Sequence, residues 1–458
     1  MSLRPATPAE PLPGEAPWVW GMTRYQWLVL FAAWLGWGFD VFDGLLFNLV
    51  APVCLPRLLG VAVGDARVGA ATGAITAVLL VGWATGGILF GLATDRLGRS
   101  RTLLLTMLVY ATATAACAFA TDVWVLAAFR FVAALGIGGE WAAGASLVAE
   151  VVPERRRVAA GALLYTSSPL GIFLATLVND LFTKRIPLLA AQPDLAWRLV
   201  FLTGLAPAAV ALWIRRRVRE PEVWEREAHE APRLAELFAP GLRHATFGGL
   251  AMCIVTLVAW WGTNAFLPLV AAFLAGPDAA PSVRAGFITY ASTMFNLGGL
   301  VGTLATIPVA RLGRRALFAL YLAGGAASIW VTFGGDWEPV VRMRLFFLDG
   351  LTVYGVAGTF SFYLPELFPT RLRGTGAGFC YNAGRYLAAA GPFVVGRALG
   401  AAPTPMDAIR WMALVPLIGL VLVPFIVETG PSATVLLPLR LGRRGPCRPN
   451  GRPPSPPP

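Results

Sequence analysis

Charge is scarce in this 458-residue sequence: only 14% of its residues are Asp, Glu, Lys or Arg, where an ordinary globular chain has about a quarter. A soluble protein of this length cannot cover its surface with so few. Lysine is nearly absent, Lys184 standing alone among 37 basic residues. The two histidines, His229 and His244, fall in one charged loop, which argues against a histidine-based metal centre. The five cysteines (Cys54, Cys117, Cys253, Cys380 and Cys447) show neither metal-ligand spacing nor an obvious pairing, and read as unpaired, mostly small hydrophobes. No nucleophile–base pair stands out in the apolar segments, so neither an enzyme nor a bound cofactor is expected. A cleavable signal is not expected either, because residues 1–17 are polar and Pro-rich and the first apolar run is too long for an h-region.

Apolar residues are what the chain has in excess: 57% of the total, with a mean hydropathy of +0.65. They come in runs near the roughly 20 residues that a helix needs to cross a bilayer. The pattern predicts an all-α, polytopic membrane protein with twelve transmembrane helices, over residues 25–53, 69–94, 102–121, 124–150, 158–179, 198–214, 246–273, 285–308, 316–334, 343–364, 374–399 and 408–427. The net charge of +12 does not imply nucleic acid, since the arginines form short clusters between apolar runs and not one basic face. With the N-terminus inside, about 25 basic residues face the cytoplasm and about 10 the outside, which puts both termini in the cytoplasm. The composition, arginine almost to the exclusion of lysine, suits a GC-rich bacterial genome and hence a bacterial inner (plasma) membrane.

Two motifs repeat at nearly one offset. Asp95-Arg96-Leu97-Gly98-Arg99 returns as Ala310-Arg311-Leu312-Gly313-Arg314. Glu150-x-x-Pro153-x-x-x-Arg157 returns as Glu366-x-x-Pro369-x-x-x-Arg373, with the same spacing to within one position. The chain therefore divides into two pseudo-symmetric six-helix bundles, 18–214 and 246–427. A cytoplasmic linker, 215–245, joins them, with disordered tails over 1–17 and 428–458. Repeats of this kind place a substrate path at their interface.

The stretch Gly91-Leu-Ala-Thr-Asp95-Arg96-Leu-Gly98-Arg99-Ser-Arg101 resembles the loop signature after helix 2 of the major facilitator superfamily. Arg130-Phe-Val-Ala-Ala-Leu-Gly136-Ile-Gly138-Gly139 resembles its helix 4 signature. Within the superfamily the chain is similar to proton symporters of organic acids, the sialate, lactate, aromatic-acid and metabolite groups. That similarity rests on Phe39-Asp40-Val-Phe-Asp43, Gly138-Gly139-Glu140-Trp141, Trp197-Arg198, Arg219-Glu220-Pro221-Glu222-Val-Trp224 and Pro365-Glu366-Leu-Phe-Pro369-Thr-Arg371-Leu-Arg373, continuing to Tyr381-Asn382-x-Gly384-Arg385. Val41 stands where the aromatic-acid group has glycine. The resemblance implies gating roles for Gly91, Asp95, Arg96, Gly98, Arg99, Arg101, Glu150, Arg157, Glu366 and Arg373, with Asp95 facing the N-terminal end of helix 11 near Gly374.

Ionisable residues inside the apolar runs cost about 2.5–3.5 kcal/mol each on insertion scales, so each needs a partner or a task. Asp40, Asp43 and Glu140 are candidate proton carriers, because burial and a neighbouring arginine pull a carboxyl in opposite directions and binding can switch the balance. Arg130 and Arg385 are candidate partners for these acids or for an anionic substrate, the bland alternative being a static pair such as Asp40 with Arg385. Asn382, Tyr381, Trp260, Trp261, Asn264, Asn296 and Tyr165 are candidates to complete a pocket. Gly136-x-Gly138-Gly139 sits in mid-helix and reads as close helix packing, not a nucleotide loop. The expected function is proton-coupled symport of a small organic anion by alternating access, by a monomer whose partners are that substrate, protons and the lipid bilayer. A sugar or polyol porter, a drug exporter and a non-transporting solute receptor are the alternatives.

Overall fold

The computed structural model describes residues 19–62, 65–227, 232–276, 278–388 and 402–430, and every regular element among them is helical. The long segments are α1 (Arg24–Leu59), α2 (Ala66–Leu97), α3 (Arg99–Ala116), α4 (Val123–Val151), α5 (Glu154–Thr183) and α6 (Pro193–Ile214). The second set is α7 (Arg243–Leu274), α8 (Pro281–Val309), α9 (Arg314–Gly334), α10 (Pro339–Leu367), α11 (Arg373–Ala388) and α12 (Pro405–Phe425). Eleven of the twelve are long and apolar enough to cross a membrane. The exception, α11, is described over 16 residues, and the rest of its predicted span lies outside the described residues. So do both predicted tails, apart from 428–430.

Helix ends follow local chemistry that hydropathy does not report. Thr23 and Gln26 form a reciprocal capping box at the start of α1, with Thr23 Oγ1 accepting from Gln26 N and Gln26 Oε1 from Thr23 N. α1 then runs past its predicted end at 53, through Pro52 and Pro56, and stops at Gly60 in the left-handed region (φ 64°). α6 starts at Pro193, ahead of its predicted start at 198, because proline fits the first turn of a helix, where its missing N–H costs nothing. Asp122 caps α4 by accepting from Trp124 N and Val125 N, bonds that hold its carboxyl below the usual range. The linker holds two short helical pieces, Glu222–Glu227 and Leu234–Phe238.

The packing repeats between the two halves more closely than the motifs do. A Cβ on Gly86 of α2 would lie 2.0 Å from the Leu135 carbonyl of α4, and one on Gly302 of α8 would lie 2.0 Å from the Leu351 carbonyl of α10. Gly82 against Phe131 O and Gly298 against Phe347 O form the neighbouring contacts, at the same spacing in the chain. No larger residue lets these backbones approach so closely. The N-termini of α3 and α9 are also built alike. Gly98 (φ 109°) and Gly313 (φ 104°) precede them, and Glu220 and Glu428 cover their free N–H groups. Large apolar side chains such as Phe173, Val421 and Phe425 point outward, about two-thirds exposed, as a lipid-facing surface requires.

Candidate functional site

At one end of the bundle the halves are joined by charge. Asp95, at the end of α2, accepts from Gly374 N (3.0 Å), Thr375 N (2.7 Å) and Thr375 Oγ1 (2.7 Å) at the start of α11. These are the unpaired N–H groups at the positive end of a helix, a natural seat for a carboxylate. Beside it Arg99 makes a two-pronged bond to Glu150 (2.9 Å each), an ion pair with Asp95 (3.0 Å), and a bond to the Thr370 carbonyl of the other half (2.6 Å). Glu150 also accepts from Arg373 (3.1 Å). Gly91 makes room for the junction: a Cβ there would lie 2.9 Å from Gly374 O.

The equivalent pair in the second half, Arg314 with Glu366, forms the same two-pronged bond but makes no hydrogen bond to the first half among the described residues. Ala310 stands where Asp95 would be, so the latch is one-sided. Arg157 lies among Glu150, Glu154, Glu366 and Arg373. The linker reinforces the latch from outside. Trp224 Nε1 donates to Asp95 O, its ring faces Arg99, and Arg96 donates to Pro232 O. The Arg101 backbone N–H donates to Glu220. Glu236 pairs with Arg371, whose guanidinium holds the Glu236 carboxyl below its ordinary range.

Deeper between the halves lies an aromatic cluster around one cation. Arg385 of α11 is sandwiched with its guanidinium carbon 4.1 Å from the Trp83 ring and 4.8 Å from the Tyr381 ring. Its Nη1 donates to Asn382 Oδ1 (2.7 Å), and Asn382 rests on Gly87, where a Cβ would overlap it at 1.9 Å. Tyr381 stacks on Trp141 of α4 at 4.2 Å and shares a hydroxyl contact with Tyr165 of α5 (3.3 Å). Trp37, Tyr354 and Trp260 continue the cluster from Tyr165, and Trp261 packs edge-on against Trp260. The indole N–H groups of Trp37, Trp83, Trp141 and Trp260 are buried and meet no acceptor among the described residues. One guanidinium and four unused donors are chemically complementary to an acceptor-rich, negatively charged molecule.

The acids of α1 take different partners although less than one helical turn separates them. Asp43 accepts from Arg130 Nη1 (3.2 Å) and Thr114 Oγ1 (2.6 Å), and Arg130 Nη2 donates to the Asp43 carbonyl (3.1 Å). This pair is fully buried inside the first half, with no hydrogen bond or ion pair to Arg385 among the described residues. Asp40 turns instead to Glu140 of α4, with no direct ion pair to Arg385 among the described residues. Glu140 sits over Gly36, where a Cβ would lie 2.0 Å from its carboxyl oxygen. Apart from each other, the carboxyls of Asp40 and Glu140 find no hydrogen-bond donor among the described residues. Trp37, about one turn before Asp40, and Trp141, next to Glu140, connect these acids to the aromatic cluster.

Asn264, where α7 breaks, and Asn296, which donates to Ser292 O, are half-buried in the second half. Trp37, Trp83, Trp141 and Tyr354 were not among the residues that sequence reasoning selected. Tryptophan in a membrane helix reads first as an interfacial anchor. The available signal was its place beside acids and in glycine-rich stretches, as in Gly138-Gly139-Glu140-Trp141.

The chain resembles known proteins along most of its length. The profile of the Major Facilitator Superfamily matches residues 19–392. A gentisate transporter of Corynebacterium glutamicum is 26% identical over 385 residues, covering 80% of each chain. A sialic acid transporter of Escherichia coli is 27% identical over 359 residues, covering 78% of this chain and 83% of its own. Among solved structures, the proton:xylose symporter XylE superposes with a TM-score of 0.73 at 17% identity, over 89% of this chain and 97% of that one, a likeness of fold.

Proposed function

This chain belongs to the Major Facilitator Superfamily, and from that membership we propose that it is a secondary transporter that carries a small organic anion together with a proton across a bacterial inner membrane. The single observation that carries the reading is the placement of Arg385 against the Trp83 and Tyr381 rings, in the aromatic cluster that reaches the Asp40–Glu140 carboxyl pair through Trp37 and Trp141. The carboxylate of the substrate binds Arg385 and the indole donors. Asp40 lies within the electrostatic field of Arg385, so an anion that neutralises the arginine strengthens the hold of the carboxyl pair on a proton. Anion and proton then load together and leave together, which is the requirement for symport. The relatives named for gentisate and sialic acid support an organic acid as the cargo.

The Asp95–Arg99–Glu150 latch closes the cytoplasmic end, with both termini on that side, and the two six-helix halves, 18–214 and 246–427, rock about the aromatic cluster as one monomer. The test is purified protein in liposomes loaded with a pH-sensitive dye, challenged with gentisate, benzoate, lactate, sialic acid and xylose. Acidification of the lumen by an acid, beyond that of protein-free liposomes and absent in Arg385→Ala, is the expected result. A response to xylose alone assigns the site to a sugar, and substrate binding with no flux assigns the protein to sensing.

A further inference from the structure

Asp349 on α10 takes no part in the site described above, yet it is a fully buried carboxyl whose two oxygens have no hydrogen-bond partner among the described residues beyond the nearby hydroxyls of Ser328 and Thr332. α8 and α9 pack against this stretch of α10, and α7 against the turn that follows it. The polar groups facing the acid are the hydroxyls of Ser328 and Thr332 on α9, and no charged side chain among the described residues acts on it. Arg342, about two turns earlier on α10, is turned to the Gly335 carbonyl. An acid in this position is costly to insert and contributes nothing to packing that leucine or serine would not contribute better. It has no counterpart in the first half, where the equivalent position holds Ala133.

The backbone around Asp349 is equally unusual. The α-helix of α10 ends at Asp349, passes into a π-helical turn over Gly350–Tyr354 and then into a 3-10 turn over Gly355–Thr359, before α-helix resumes at Phe360. Such turns are weak points of a helix and recur at functional sites. Gly350 and Gly355 press this bend against α8, at Phe295 O and Gly302 Cα respectively, so its position is fixed by backbone contact and not by adjustable side chains. The far end of the π turn carries Tyr354, which meets Tyr165 of the other half and Trp260 of the aromatic cluster. Asp349 therefore sits at one end of a bend whose other end touches the interface between the halves.

We infer that Asp349 is a second proton-binding site, separate from the Asp40–Glu140 pair, and that its loading sets the bend of α10. With a proton, the carboxyl is a neutral group that donates to a hydroxyl or to a main-chain carbonyl of the loosened turn. Without it, the charge draws on both hydroxyls and competes for the N–H groups of the bend. The two states call for different backbone arrangements, and Tyr354 moves with them.

The test needs no substrate. Infrared difference spectra of the purified protein in lipid, titrated from acid to alkaline pH, report protonated carboxyl groups by their C=O stretch. Among the high-frequency bands of buried carboxyl groups, one titrating component is expected to persist in the Asp40→Asn/Glu140→Gln variant and to disappear when Asp349→Asn is added. Mass-resolved amide exchange over residues 350–359 is expected to change with pH beyond the intrinsic rate in the parent protein and not in Asp349→Asn. If Asp349→Asn does not fold, Ser328→Ala/Thr332→Val keeps the acid and is expected to shift the frequency and midpoint of the same band. A band unaffected by both variants, or one that never titrates, overturns the inference. Loss of all titrating bands in Asp40→Asn/Glu140→Gln alone also overturns it, while a spectrum unchanged in that variant counts against the Asp40–Glu140 pair instead.

Discussion

Arg385 and Arg130 are both buried arginines of the membrane region, and their surroundings assign them different work. Arg385 has ring faces and an amide around it and no direct carboxylate partner among the described residues, so its charge remains available to a ligand. Replacing it with lysine keeps the charge but loses the flat guanidinium that fits between two rings. Arg385→Lys is predicted to weaken anion uptake by about 10- to 100-fold, the equivalent of one charge-assisted hydrogen bond, with protein levels in the membrane unchanged. Arg130 is already committed to Asp43. Asp43→Asn leaves a buried guanidinium uncompensated and is predicted to cost about 3–5 kcal/mol of stability, read as a lower thermal midpoint in detergent. Asp43→Asn/Arg130→Gln is predicted to recover part of that loss. The place of Asp40, Asp43, Glu140, Arg130 and Arg385 inside apolar runs was legible in the sequence. Azimuth was not, because a helix with apolar residues all round leaves no polar face to fix its rotation. The division of the acids between Arg130 and Glu140 is therefore visible only in three dimensions.

At the scale of the element, hydropathy located the helices and missed their ends, since capping and proline chemistry decide those. The start of α9 is a case in point. The carboxyl of Glu428 is pushed up by its partial burial, but the N–H groups of Arg314, Arg315 and Gly430 outweigh this and hold it below its ordinary value of 4.5. A depressed folded-state value means that the stabilisation is complete above the unfolded value and fades as pH falls through the folded one. Glu428→Gln is therefore predicted to lower the thermal midpoint at neutral pH by the equivalent of about 0.5–1 kcal/mol after solvent screening. The two proteins are expected to converge once the pH falls below the depressed folded-state value. A difference that persists in acid would show that shape, not charge, carries the cap. The sequence repeat anticipated the two loops but not the α2–α4 and α8–α10 glycine contacts, because a glycine in a membrane helix does not by itself name the backbone it meets.

For the whole molecule, the asymmetry of the latch is the informative feature. Asp95 ties α2 to α11 across the halves, whereas Ala310 offers no such bond, so one carboxylate carries much of the junction between the halves at that end. Asp95→Asn removes charge-assisted bonds of about 1.5–3 kcal/mol each and is predicted to slow uptake several-fold (~5-fold or more) without reducing expression. Normal uptake in that variant would leave the latch without a role in the cycle. The loop motif made this region legible in the sequence, whereas the contributions of Trp224 and Glu236 were not, since a linker that crosses both halves shows its partners only when folded.

The central claim is that the Asp40–Glu140 pair holds the transported proton beside an anion bound at Arg385. Its most direct test compares two modes of transport in liposomes bearing Asp40→Asn/Glu140→Gln: accumulation driven by an inward proton gradient, and exchange of labelled for unlabelled substrate with no gradient. The account predicts that gradient-driven accumulation is lost while exchange continues, because exchange requires the anion site to reorient but no proton to be released. Accumulation at the wild-type level would contradict it and place the proton elsewhere.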